Sequence, residues 1–137
     1  MSVKCFIDTN VLIYLYSIDE IAKRKTIETL INTDLQFVIS TQVINEFINV
    51  MRKKKTITFE SISHAIKEFA DHFDIALVTF ATIEHALFIA HKYHYSYFDS
   101  LMVASALENK CTILYTEDMH ANQVIEANLK VTNPFKL

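Results

Sequence analysis

The chain carries 16 acidic residues among 137, and four of them stand where an acid is hard to explain as surface. Asp8 directly follows the apolar run Val3–Ile7, at the place just beyond a strand's carboxyl end where open α/β sheets bind ligands. An Asp there also suits the cap of a following helix. Glu46 lies three residues after Val43 and four before Val50, on one stripe of a helix whose other apolar positions are Phe47 and Met51. A carboxylate on such a stripe must be paired, neutral or bound to a cation, unless it reaches water from the stripe's edge. Asp99 heads a stripe formed by Met102, Val103, Ala106 and Leu107, and as a first-turn acid it also complements the helix dipole. Asp118 follows a second apolar run, Thr112–Tyr115, through Thr116 and Glu117, and Glu117 is its rival for the same role. By contrast, Glu20, Glu28, Glu60, Glu68, Glu108 and Glu126 read as solvated helix faces.

Two strand ends and two inward helix faces therefore carry acids. Gathered in one cleft, uncompensated carboxylates repel one another and raise their own pKa values. A hard cation removes the conflict, because Mg²⁺ or Mn²⁺ takes carboxylate oxygens, keeps waters and leaves room for phosphate oxygens. One or two such ions serve in-line cleavage of a phosphodiester, and the spacing leaves the number open.

Composition removes competing chemistries. Glycine is absent, so there is no Gly-rich phosphate loop, dinucleotide fingerprint or glycine-flanked nucleophile elbow. Turns that need a left-handed residue are expected to use Asn or Asp. A net charge of -3 excludes a generic polyanion binder, so contact with nucleic acid needs local basic patches or bound cations. No apolar run is long enough for a membrane helix, and the opening MSVKCFIDTN meets polar residues too early for a signal peptide, which implies a soluble cytoplasmic protein. Cys5 and Cys111 each sit in an apolar run and read as buried free thiols rather than a disulfide.

The elements that must position the four acids alternate. Strands are expected at Val3–Ile7, Phe37–Ile39, Ile75–Val78, Thr112–Tyr115 and Leu129–Val131. Helices are expected at Val11–Tyr16, Ile21–Ile31, from Ser40 or Thr41 to about Lys55, at Thr58–His72 and Thr82–Tyr93, and from Ser96 or Tyr97 to Asn109. The apolar stripe of the Thr58 helix comprises Phe59, Ile62, Ile66 and Phe69, and that of the Thr82 helix Ile83, Ala86, Leu87 and Ala90. Short apolar strands between helices predict one domain, residues 1–137, with a short central parallel sheet covered on both faces.

The segments FIDTNVLIY, ISTQVINEFINV, YSYFDSLMVASAL and ILYTEDMHANQVI, in that order, resemble the four acidic motifs of PIN-domain nucleases, and the closing VTNPF extends the resemblance over nearly the whole chain. The similarity is greatest to the VapC-type toxins of toxin–antitoxin pairs. It implies a three-layer α/β/α sandwich and Mg²⁺- or Mn²⁺-dependent endoribonuclease activity. It also implies a homodimer and neutralisation by a cognate protein antitoxin. By the resemblance, Asp8, Glu46, Asp99 and Asp118 match the metal-site acids. Thr9 and Asn10 belong to the first motif, and Thr116 matches a small hydroxylated residue lining the site, so these three are expected near the substrate. Phe98 stands where many relatives carry Trp, while Lys110 and Ala121 replace common glycines, departures that concern loop geometry. Two other readings compete. One is a catalytically silent PIN domain that binds RNA or protein. The other is an aspartyl-phosphate phosphatase, which wants a second Asp where this chain has Asn10.

Three further groups are ambiguous from sequence. The basic clusters Lys23–Lys25 and Arg52–Lys55 suit helix faces and ends, and also an RNA backbone. The six histidines show no zinc-ligand spacing, though His120 lies near Asp118. Tyr93, Tyr95 and Tyr97 alternate in an expected loop, where they either stack on bases or pack beneath it.

Overall fold

The computed structural model describes residues 3–136, so positions 1, 2 and 137 of the expected domain lie outside the described residues. Cys5, Phe6 and Ile7 of β1 (Lys4–Ile7) have no exposed surface at all. Successive strand residues point to opposite faces, so this run is covered on both sides. Phe37, Val38, Ile39 and Ser40 of β2 (Gln36–Ser40) are buried in the same way. The other strands are β3 (Asp74–Ala76), β4 (Ile113–Tyr115), β5 (Val124–Ile125) and β6 (Leu129–Thr132).

They form one six-stranded sheet in the order β3-β2-β1-β4-β6-β5. All pairs are parallel except β5 with β6, which is antiparallel. The expected central parallel sheet is present, and β5 adds one antiparallel strand at its edge. The two-residue β5 carries no periodic signal, and it turns back through Glu126 and Ala127, both at positive φ. Between β1 and β4 the strand order reverses, and such a switch point opens a crevice at the carboxyl ends. Ile7 pairs with Tyr115, so Asp8 and Thr116 emerge side by side into that crevice.

The helices are α1 (Thr9–Leu12), α2 (Ile21–Ile31), α3 (Thr41–Arg52), α4 (Phe59–His72), α5 (Phe80–Tyr93) and α6 (Tyr97–Glu108). The first departs from expectation: it starts at Thr9 and tightens to a 3₁₀ turn over Ile13–Tyr16. Ser40, Thr58 and Ser96 cap α3, α4 and α6, each accepting the backbone N–H three residues on. Two expected apolar stripes need correction. Phe59, the first residue of α4, is 79% exposed. On α5 the buried side is Thr82, Ala86 and Ile89, while Ile83 and Leu87 face outward, because that helix is apolar on two sides.

Left-handed backbone is not confined to Asn and Asp. Besides Asn122 it is taken by His94, Lys110, Glu126 and Ala127. A helix-end closure accounts for Lys110, and bonds from α5 hold Glu126. Lys110 N–H donates to Leu107 O and Cys111 N–H to Ala106 O, the paired closure that ends a helix on a left-handed residue. Glu126 accepts hydrogen bonds from Lys92 and the Tyr93 hydroxyl. Both cysteines are free and buried.

Candidate active site

At the carboxyl ends of β1 and β4, a cleft of about 320 Å³ is lined by Asp8, Glu46, Asp99 and Asp118 together with Thr9, Asn10, Ile13, Asn49 and Val50. All four singled-out acids meet there, and among the described residues no Lys, Arg or His lines it. A larger apolar groove of about 660 Å³ between α3 and α4 holds no carboxylate, so size is no guide to the chemistry here.

Asp8 is 5% exposed and satisfies both readings made of it. Its Oδ1 caps α1 by accepting Thr9 N–H at 2.7 Å, and its Oδ2 accepts the Thr116 hydroxyl at 2.8 Å. Burial raises its pKa to about 6, with Asp99 and Glu46 adding repulsion and the Thr116 and Thr9 hydrogen bonds only partly offsetting it. Asp99, half-buried in the first turn of α6, is also raised by burial and by the charges of Asp118 and Glu46, against a hydrogen bond from Ser96. Glu46 stands at the edge of its stripe, half-buried, accepting the Thr9 hydroxyl at 2.8 Å and the Gln42 amide at 3.2 Å.

The 116–118 loop separates two neighbouring acids. Glu117 turns away from the cleft: Lys23 Nζ donates to it at 2.5 Å and the Tyr14 hydroxyl at 2.7 Å. Lys23 itself lies 4.8 Å from the Tyr14 ring centroid and 5.1 Å from that of Phe135. Burial alone would raise the Glu117 carboxyl, but the Lys23 and Tyr14 hydrogen bonds outweigh it and hold it below its ordinary range. Asp118 is exposed and faces the cleft, accepting Asn10 Nδ2 at 2.9 Å. Asn10 also donates to Thr116 Oγ1 at 3.2 Å and accepts Glu117 N–H at 3.2 Å. Asn10, expected near substrate, thus lines the cleft and at the same time fastens this loop, while Thr116 is fully buried beneath Asp8.

Asn49 was not singled out, and Val50 only as an apolar stripe position, although a helix places both one turn beyond Glu46. Tyr14 was not singled out, and Lys23 only as part of a basic cluster; nothing in the sequence links either to Glu117. His120 does not line the cleft. Tyr93 and Tyr95 stack on each other and hydrogen-bond to Glu126 and Gln123, which places them in packing.

The carboxylates suit a hard cation in a particular way. No three His, Cys, Asp or Glu side chains among the described residues are gathered tightly enough to hold an ion by themselves. Mg²⁺, however, is commonly held by one or two carboxylates plus waters and substrate phosphates. A buried Asp8 facing like charges, with no basic side chain in the lining, fits that mode.

The sequence model of the PIN domain matches residues 5–126. The chain belongs to the PIN-domain family. Solved structures share its fold at low identity. A toxin–antitoxin complex from Klebsiella pneumoniae is 19% identical with TM-score 0.72, covering 97% of this chain and 99% of that one. The sarcin–ricin-loop-cleaving toxin VapC20 of Mycobacterium tuberculosis is 18% identical with TM-score 0.69, covering 83% and 89%. The VapBC-1 structure from nontypeable Haemophilus influenzae is 16% identical with TM-score 0.68, covering 98% and 100%. No match was found among curated proteins. This PIN domain thus has its acids at the switch point of the sheet, and no described helix is long and apolar enough to cross a membrane.

Proposed function

We propose that this PIN domain is a divalent-metal-dependent endoribonuclease and the toxin of a toxin–antitoxin pair, working in the cytoplasm. The observation that carries the reading is the convergence of Asp8, Glu46, Asp99 and Asp118 on one cleft without a basic side chain. These four would hold Mg²⁺ or Mn²⁺, which supplies water activation and charge stabilisation at a phosphodiester. The chain's own residues prepare the site. Thr9 N–H and the Thr116 hydroxyl fix the Asp8 carboxylate, Thr9 Oγ1 orients Glu46, and Asn10 holds Asp118. The committed Asn10 leaves no acid–base partner for an aspartyl-phosphate phosphatase.

The purified chain is expected to cut a structured RNA with Mn²⁺ and not with EDTA. Asp99→Asn should reduce the rate at least about 100-fold, since even residues that only orient metal ligands are worth 10–100-fold. RNA binding without any cutting would show a silent module instead.

A partner protein is part of the proposal, because the Klebsiella relative was solved as a toxin–antitoxin complex. A second copy is expected on the outer side of α5, where Phe80 is 75%, Ile83 42% and Leu87 66% exposed, on one helical stripe. Leu87→Glu should convert a dimer to the 15.9 kDa monomer in light scattering. An unchanged mass would place the interface elsewhere.

A further inference from the structure

We propose that the cleft-facing side of α3 is the track by which the RNA backbone leaves the acidic cleft, with Asn49 and Lys53 as its contacts. The proposal rests on the ribonuclease reading and names how substrate is held there. In an α-helix, residues seven apart lie within about 20° of the same side and about 10 Å apart along the axis. Lys53 therefore stands directly beyond Glu46, two turns on, and its backbone is still helical at φ -77 and ψ -13. Asn49 and Val50 flank that line on either side, and both line the cleft.

Charge points the same way. The chain is net acidic and the cleft concentrates four of its carboxylates, so RNA needs a local cation to stay there. Lys23 is engaged by Glu117. Lys53 is exposed and makes no ion pair among the described residues, and Lys54 and Lys55 follow it, equally exposed. Arg52 is different, because with Ile48 it lines the apolar groove against α4. A helix-end dipole accounts for a cation here but not for its alignment with Glu46 and Asn49. Lys53 is assigned to a phosphate. The Asn49 amide both donates and accepts, which suits a ribose hydroxyl or a base edge.

The test is anisotropy of a fluorescein-labelled single-stranded RNA of mixed sequence, titrated without metal into the full chain carrying Asp99→Asn, across a salt series. Lys53→Gln should flatten the dependence of log affinity on log salt by about 0.7, and the triple change at Lys53, Lys54 and Lys55 by about 2. In the Mn²⁺ cleavage assay the triple change should raise KM at least tenfold with kcat within twofold. Asn49→Ala should weaken binding without altering the salt slope, and Lys25→Gln should alter neither. A triple variant with the parent slope and KM overturns the track while leaving the ribonuclease reading intact. A parent chain that cuts no RNA but keeps a Lys53-dependent slope sinks the ribonuclease reading and supports the track. Parent RNA affinity in the triple variant, with lost binding to a poly-glutamate probe, overturns it in favour of an acidic protein partner.

Discussion

Asp8→Asn is expected to abolish metal-dependent cleavage and, at the same time, to stabilise the metal-free protein. The two effects come from one feature. Asp8 is buried, and its pKa is raised to about 6 chiefly by that burial. In the unfolded chain an Asp titrates near 3.9, so between roughly pH 4 and 6 the folded state binds the extra proton. Stability from this group is therefore highest in acid, falls as pH rises through that window, and stays reduced above it. Two pH units correspond to about 3 kcal/mol, to order of magnitude. The Asn amide removes the charge, and its oxygen can still accept Thr9 N–H; its nitrogen can donate to the Thr116 oxygen, but that hydroxyl then loses the acceptor of its own proton, which offsets part of the gain. The melting temperature of the metal-free variant at pH 7.5 should rise by about 5 °C, with a flatter profile between pH 4 and 6. Excess Mn²⁺ should stabilise the parent and not the variant, since only a ligand bound to the folded state shifts the transition. Wild-type cutting by the variant, or a melting temperature below the parent's, would remove Asp8 from the proposed site.

Much of this was legible where local rules and the fold agree. The Ser40 and Ser96 caps announce α3 and α6, and the periodicity then sets Glu46 and Asp99 on sides where an acid is out of place. Asp8 could be read because a strand end and a helix cap coincide. Long-range contacts were not legible. Whether Glu117 or Asp118 enters the cleft is decided by Lys23 and Tyr14, which no spacing connects to them. The motif places Asn10 at the cleft, where it lies, but no spacing shows that its three polar bonds go to the 116–118 loop. The buried side of α5 was misphased for another reason. A helix apolar on two sides gives no unique stripe, and which side is covered depends on α6. Lys110 overrides residue preference through the closure of its own helix end, and Glu126 through bonds to α5 that form only on folding.

Two phenylalanines show how far burial, rather than residue type, sets the energetic consequence of a change. Phe47→Ala is expected to cost about 3–5 kcal/mol, the range for removing a buried aromatic ring. The side chain is 1% exposed, with ring centroids 4.9 Å from Phe69 and 5.3 Å from Tyr16, both edge-on. Those two geometries add to the loss of buried area. Phe59→Ala removes the same ring from the first turn of α4, where it is 79% exposed, and should stay within about 0.5 kcal/mol. Urea unfolding of the metal-free proteins measures both. The larger loss takes a substantial share of the 5–15 kcal/mol typical of a domain, so the Phe47 variant should be partly unfolded at 37 °C. Phe47 also seats the helix that carries Glu46, its neighbour in sequence. Saturating Mn²⁺ returns about 2.7 kcal/mol at 100 times its Kd, provided that the site survives intact. The Phe47 variant should recover less than this, because a loosened α3 weakens the metal site together with the core. Full recovery by Mn²⁺ would show that Glu46 is held from the cleft side, by Thr9 and Gln42, rather than by the packing behind it.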